Sequence, residues 1–277
     1  MAWVANGRAV VTGAGSGLGR ALCVELARRG ARVVASDRDP EAARETVAAL
    51  ERGGAEAYAV RCDVSQAAEV EGLAGEAERL LGGVDLIVNN AGVALSGRIG
   101  EVSLEDWRWM LSVNLWGVIH GCHAFVPRLR RQGRGHVLNV ASAAGLIPGP
   151  PLSPYSTAKA AVVGLSETLF AEAASDGVGV TVLCPTFFET NIMRSGRGAE
   201  ESFQAVAGER MRRSKVQAED VARAALDGVM RGALYVLPHA DGRWAWRLKR
   251  LMPARFHAML PRLAASQARK LGFEMKF

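Results

Sequence analysis

Short apolar runs rich in Val, Ile and Leu alternate with amphipathic stretches along most of this chain, and no other feature restricts the fold as much. The runs are RAVVT (8–12), RVVAS (32–36), AYAVR (57–61), VDLIV (84–88), HVLNVA (136–141), VGVTVLC (178–184) and ALYVLP (233–238). Several are almost wholly apolar, as strands covered on both faces should be. Helical spacing fills the gaps: 16–29, 40–53 and roughly 66–82, 104–131, 154–176 and 218–231. Pro40 stands at an early helical position, and Gly30, Gly53 and Gly54 follow helix ends. Strand and helix alternating about seven times predicts an α/β fold, a doubly wound seven-stranded parallel sheet with helices on both faces. Ligands of such sheets bind beyond the carboxyl ends of the strands. Motifs that carry chemistry should therefore fall just after strands.

Composition narrows the class. At 277 residues, 49% hydrophobic and 22% charged, the chain can bury a core without staples. The net charge of +6 is unevenly placed. Residues 240–277 hold nine Lys/Arg against two Asp/Glu, which leaves 25 against 26 in residues 1–239. The basic character belongs to the C-terminal segment, so a general nucleic-acid function is not expected. Cys23, Cys62, Cys122 and Cys184 are far apart, with no CxxC pair, which argues against a disulfide framework or a metal site. The N-terminus runs directly into the first strand with no apolar leader, and the longest uncharged stretch, 137–158, is broken by four prolines. A cytoplasmic protein is the expectation.

The first strand runs into Thr12-Gly13-Ala14-Gly15-Ser16-Gly17-Leu18-Gly19-Arg20, which opens a helix. Glycines allow a tight turn and close approach of backbone to a pyrophosphate, and the helix start offers unpaired N–H groups. With 31 glycines, a GxxxGxG triplet arises by composition about 0.4 times. Its position between the first strand and the first helix is what gives it meaning. After the second strand stands Ser36-Asp37-Arg38. A carboxylate there can accept both hydroxyls of an adenosine ribose, whereas an arginine pairs with a 2′-phosphate. The two residues oppose each other. Asp37, directly at the strand end, favours NAD over NADP, although it can also simply cap the helix that starts near Pro40.

Tyr155 and Lys159 are four residues apart on a predicted helix and so share a face. A cation beside a phenol favours the phenolate, and a phenol so tuned exchanges protons with an alcohol near neutral pH. Ser142 closes the fifth strand, at the edge where ligands bind. Asn114 lies within the helix of 104–131, where asparagine competes with backbone hydrogen bonds. A local kink with a trapped water, or plain satisfaction within the core, would explain it.

In these motifs the chain resembles the short-chain dehydrogenase/reductases, well over residues 6–195 and more loosely to about 238. The resemblance implies a Rossmann-type fold and a nicotinamide cofactor. It places Gly13, Ser16, Gly17, Leu18 and Gly19 at the cofactor's phosphates and Asp37 or Arg38 at the ribose. Asp63 and Val64 fall at the adenine. Asn90, Ala91 and Gly92, in the segment Asn89-Asn90-Ala91-Gly92, pass over the cofactor. Pro185 and Thr190 fall near the nicotinamide. Asn114, Ser142, Tyr155 and Lys159 occupy the four catalytic positions. Tyr155 is implied as general acid/base, and Lys159 as the group that lowers its pKa and bonds the nicotinamide ribose. Ser142 is implied as donor to the substrate oxygen, and Asn114 as holder of a water in a proton relay. One departure stands out: Pro185 is followed by Thr186-Phe187-Phe188 where the family usually has glycine.

Residues 143–154, AAGLIPGPPLSP, have few hydrogen-bonding side chains, and with Phe187, Phe188, Ile192 and Met193 they predict a bulky apolar alcohol or ketone as substrate. Residues 1–239 read as one catalytic domain with a substrate lid at 186–217, and 240–277 as a basic amphipathic extension. Residues 243–270 mix Trp, Leu, Met and Phe with Arg and Lys, interrupted by Pro253 and Pro261. Such a segment suits a peripheral contact with an anionic membrane, docking on the protein's own surface, a subunit contact, or binding of an anionic carrier such as a coenzyme A or acyl-carrier thioester. The resemblance implies a homodimer or homotetramer built on helices 104–131 and 154–176. Two rival readings stay open: a catalytically silent dinucleotide-binding regulator, and a membrane adaptor acting through the extension.

Overall fold

The computed structural model describes residues 6–190, 192, 196–197, 201–270 and 272, without the side chains of 201–204 and 267. Met193 lies outside the described residues. Seven strands form one sheet: β1 (Arg8–Thr12), β2 (Arg32–Asp37), β3 (Ala57–Arg61), β4 (Leu86–Asn89), β5 (Gly135–Val140), β6 (Val178–Leu183) and β7 (Tyr235–Val236). Their order is β3-β2-β1-β4-β5-β6-β7, and every pairing is parallel. The chain winds outward from β1 through β3, then returns to place β4 against β1. That reversal opens a crevice beyond the carboxyl ends of β1 and β4. Val10 pairs with Val34 on one side and Ile87 on the other, which fixes the central register.

Alternate residues of each strand feed two cores. Val10, Val34, Ile87, Val137 and Val180 face α3 (Ala67–Leu81), α5 (Gly117–Gln132) and α7 (Ser153–Glu172). Ala9, Val11, Val33, Val88 and Leu138 face α1 (Gly17–Arg28), α2 (Pro40–Arg52) and α9 (Ala218–Met230). This is the doubly wound, Rossmann-type arrangement expected from the apolar runs. All four cysteines are free and buried, and burial pushes each thiol up to about 12.

Several boundaries differ from expectation. β7 is two residues rather than six, because only Val182 and Leu183 face it and Pro238 and His239 then turn the chain into another helix. The helix expected over 104–131 is α4 (Leu104–Leu111) and α5, joined by a π-helical turn at Ser112–Trp116. A short α6 (Ala143–Leu146) follows β5, and α8 (Glu201–Arg213) lies within the expected lid. The C-terminal segment folds as α10 (Ala240–Leu251) and α11 (Pro253–Lys270). Pro253 opens α11, where its missing N–H costs nothing, while Pro261 is carried inside the helix. Among the described residues no helix is long and apolar enough to cross a membrane. None of their His, Cys, Asp and Glu groups could hold a metal ion.

A buried polar chain ties the sheet to its helices. Asn89 Nδ2 donates to Asn139 Oδ1 at 2.9 Å, Asn139 Nδ2 to Ser166 Oγ at 3.0 Å, and Ser166 Oγ to the Val162 carbonyl at 2.7 Å. Gly121 of α5 packs directly on Asn89, and a Cβ there would overlap its Oδ1. Gly121→Ala is expected to destabilise the protein by about 2–3 kcal/mol by displacing Asn89 from this chain. A drop in the urea midpoint would register it, and an unchanged midpoint would contradict the close packing.

Candidate active site

The glycine turn after β1 is shaped for backbone alone. Gly13 holds a left-handed φ of +63°, and a Cβ on it would lie 2.7 Å from Ala91 Cα. A Cβ on Gly15 would come within 2.6 Å of the Ala42 methyl, and one on Gly19 would strike the Gly13 carbonyl. Asn90 locks the turn from the far side of the crevice, its Nδ2 donating to the Thr12 carbonyl at 2.9 Å and the Gly13 carbonyl at 3.1 Å. Thr12 Oγ1 accepts in return from the N–H groups of Asn90 (3.1 Å) and Ala91 (3.2 Å). The helix that follows, α1, begins with Ser16 as its N-cap, in extended backbone. The Ser16 hydroxyl makes no capping bond, and the first turn carries no acidic side chain. Its leading N–H groups and positive dipole end suit an anion.

Asp37 ends β2 beside this turn. Its carboxylate accepts from the Gly15 N–H at 2.9 Å and the Asp39 N–H at 3.1 Å. The cap of α2 is Asp39, not Asp37. Arg38 is exposed at the cavity rim. After β3, Asp63 Oδ1 accepts from the Ser65 N–H and hydroxyl at 2.9 and 2.8 Å. His120 Nδ1 donates to the Val64 carbonyl at 2.9 Å.

The other group gathers at the ends of β4, β5 and β6. Asn114 sits fully buried in the π-helical turn. Its Oδ1 accepts from the Val93 N–H and its Nδ2 donates to the Val93 carbonyl, both at 2.8 Å, with Met110 Sδ also 2.8 Å away. The asparagine thus grips the segment that follows Gly92, and the helix widens there to let it reach. A Cβ on Gly92 would lie 3.2 Å from Asn114 Oδ1 and 3.7 Å from Lys159 Nζ, so the two side chains meet across this glycine. Ser142 caps α6, accepting from the Ala144 N–H at 3.1 Å, and lines the cavity beside Tyr155. Lys159, 3% exposed, donates to the Val140 carbonyl at 2.8 Å, and its Nζ lies 5.9 Å from the Tyr155 ring centroid.

The electrostatics depart from the simple expectation of a cation lowering a phenol. Burial drives the Lys159 ammonium down to about 8. Burial also raises the Tyr155 phenol above its ordinary value, with the Ser142 hydroxyl pulling the other way. Tyr155 therefore holds its proton at neutral pH, desolvation being the largest influence on it.

Both groups open into one cavity of about 880 Å³. Pro185, Phe187, Phe188, Thr190 and Ile192 line it after β6. Thr190 Oγ1 accepts from the Ile192 N–H at 3.2 Å. The segment in place of the usual glycine is held from outside. The Thr186 N–H donates to His239 Nδ1 at 3.3 Å and its hydroxyl to Asp241 Oδ1 at 3.4 Å, and a Cβ on Gly242 would sit 2.7 Å from the Thr186 methyl. Residues of the extension also line the cavity: Asp241 and Ala245 from α10, and Phe256, Leu260, Leu263 and Ala264 from α11. Sequence reasoning read these as a basic amphipathic extension, with docking on the protein's own surface as one of its possible uses, and did not place them at the cavity. The only hint of their place was the apolar stripe at 256, 260 and 264.

Residues 8–201 match the family model of the short chain dehydrogenases. The chain belongs to that family. Among the relatives of this chain is the "Probable oxidoreductase EphD" of Mycobacterium tuberculosis, 43% identical over 184 residues, or 66% of this chain. The chain spans only 31% of that protein's length. The "1-deoxy-11-beta-hydroxypentalenate dehydrogenase" of Streptomyces exfoliatus is 36% identical over 245 residues, covering 85% of this chain and 84% of the relative. A short-chain dehydrogenase/reductase from Burkholderia phymatum, solved in complex with NAD, superposes with a TM-score of 0.82 at 37% identity. That superposition covers 87% of this chain and 92% of its neighbour. The family match ends at residue 201, so α9, α10 and α11 lie beyond it.

Proposed function

We propose that this short-chain dehydrogenase interconverts a secondary alcohol and a ketone on a bulky apolar substrate, with NAD as the favoured dinucleotide. The observation that carries the proposal is one cavity with two ends: a backbone cradle at α1, and Ser142, Tyr155 and Lys159 together beneath an apolar outer half. The cradle fits a dinucleotide because Gly13, Gly15 and Gly19 leave space where any Cβ would clash. Gly13, Ser16, Gly17, Leu18 and Gly19 would hold its phosphates, Asp37 its adenosine ribose, and Asp63 and Val64 its adenine. Asn90, Ala91, Gly92, Pro185, Thr190, Tyr155 and Lys159 would line its nicotinamide half. Bound there, the dinucleotide supplies hydride exchange at the substrate carbon.

The chain's own groups do the rest. Tyr155 gives or takes the proton at the substrate oxygen. Ser142 donates to that oxygen, placing a fixed dipole where charge develops. Lys159 sits behind the phenol as a cation held by Val140. Asn114 anchors Val93 and so sets the segment between Lys159 and the crevice.

Asp37 supplies the choice of dinucleotide, since a carboxylate at the ribose accepts hydroxyls and repels a 2′-phosphate. NADH is expected to bind at least about tenfold tighter than NADPH, and Asp37→Ala to bring the ratio close to one. Nicotinamide fluorescence titration reads both. Tighter NADPH binding would transfer the role to Arg38. Turnover of NAD with secondary alcohols of increasing bulk tests the substrate class, and preference for small polar alcohols would reject it.

A further inference from the structure

The α10–α11 pair has two faces. Its inner face carries Phe256, Leu260 and Ala264 and packs against α8 and the cavity. Its outer face carries large apolar side chains in the open: Trp244 is 71% exposed, Leu251 80% and Leu263 49%, with Met252 and Met259 beside them. Residues 240–270 hold eight Lys/Arg and one acid, Asp241. Among the described residues none of the eight forms an ion pair with a carboxylate. Exposed arginines elsewhere do, such as Arg28 with Glu25, Arg44 with Glu41 and Arg79 with Glu76. Lys249 turns inward to the Leu146 carbonyl and Arg243 to the carbonyls of Leu237 and Pro238, but Arg247, Arg255 and Arg262 are exposed, so the outer face is apolar and cationic at once.

We propose that this face docks the enzyme on an anionic lipid bilayer, and that the cavity receives its substrate from that side. An interface of anionic headgroups over acyl chains satisfies both halves of the surface: arginines at the phosphates, Trp244, Leu251 and Met259 below them. Nucleic acid would meet the cations and leave the Leu and Met side chains without partners. A second copy of the chain, paired symmetrically through this patch, would set arginine against arginine. Leu263 joins the surface to the site, since it is half exposed and also lines the cavity, one helical turn from Met259. Docking stands on the surface alone. Delivery of substrate from the bilayer rests on the apolar-substrate reading above.

The test is flotation of the full-length protein with vesicles of phosphatidylcholine, and of phosphatidylcholine mixed with phosphatidylglycerol. Binding to the mixed vesicles is expected, at least about tenfold stronger than to the neutral ones and lost at high salt. R247Q/R255Q is expected to weaken it about twenty-fivefold, roughly fivefold per cation. L251S/M259S is expected to weaken it about tenfold or more. None of these four residues lines the cavity, so both variants should keep wild-type NADH affinity, which reports an intact fold. Equal binding to both vesicle types, no binding, or variants that float like wild type would overturn the proposal. So would a dimer that L251S/M259S splits while no vesicle binds, which would assign the face to a second copy. Flotation does not depend on turnover, so failure of docking and failure of the oxidoreductase reading are told apart.

Discussion

Tyr155→Phe is expected to lower turnover about a thousandfold while NADH titrates with unchanged affinity. The variant removes one oxygen and keeps the ring, so the packing around Lys159 and the cavity wall persist. What it removes is the phenol that shares the cavity wall with Ser142 after β5. Without it the substrate oxygen has a hydrogen-bond donor in Ser142 but no group able to pass a proton at neutral pH. Because burial raises the phenol above its ordinary value, wild-type alcohol oxidation should climb with pH as the phenol yields its proton. The variant should lose that rise. Steady-state rates from pH 6 to 10 beside fluorescence titration check both. Retained turnover in Tyr155→Phe would remove Tyr155 from the chemistry, and loss of NADH binding with turnover would make it a binding residue instead.

Lys159→Met is expected to abolish most turnover and, at pH 7, to make the cofactor-free protein more stable. The ammonium is 3% exposed and its one hydrogen bond among the described residues is to the Val140 carbonyl. Burial takes its pKa down to about 8 from an ordinary lysine value near 10.4. Between those two values the unfolded chain keeps a proton that the folded chain has released. The penalty for burying the charge is therefore fully present below about pH 8 and fades as pH rises through the lysine range. Methionine fills the same space without that penalty but leaves the Val140 carbonyl unpaired. A net gain of about 2 kcal/mol is expected at pH 7, or about 5 °C in Tm, reversing to a loss of about 1 kcal/mol near pH 10.5, where only the unpaired carbonyl remains. Thermal unfolding of both proteins across that range measures it. A variant less stable than wild type at pH 7 would show that the buried cation is compensated within the fold.

Much of the fold was legible because its signals are local. Seven apolar runs gave seven strands, since a strand covered on both faces has little room for polar residues. The glycine turn was legible for a similar reason: Gly13 needs a left-handed backbone, and Gly19 abuts another carbonyl. Strand ends and helix breaks were less so. β7 shortened because Pro238 and His239 divert the chain, and the helix through Asn114 opened into a π-helical turn because its side chain reaches Val93, 21 residues earlier. Such long-range contacts leave no periodic trace.

The sequence by itself determined the layer architecture, the place of the glycine cradle after β1, and the spacing of Asn114, Ser142, Tyr155 and Lys159, because each depends on residue type at short separation. Only the tertiary structure decided what surrounds them. It enclosed Lys159 and Tyr155 so that desolvation lowers the ammonium and raises the phenol, and the expected lowering of the phenol does not hold. It also carried the C-terminal extension back over the sheet, where Thr186 meets His239 and Asp241, and where Phe256 and Leu260 line the cavity. Charge burial and the return of a distant segment are properties of packing between elements remote in the chain, and no local pattern encodes them.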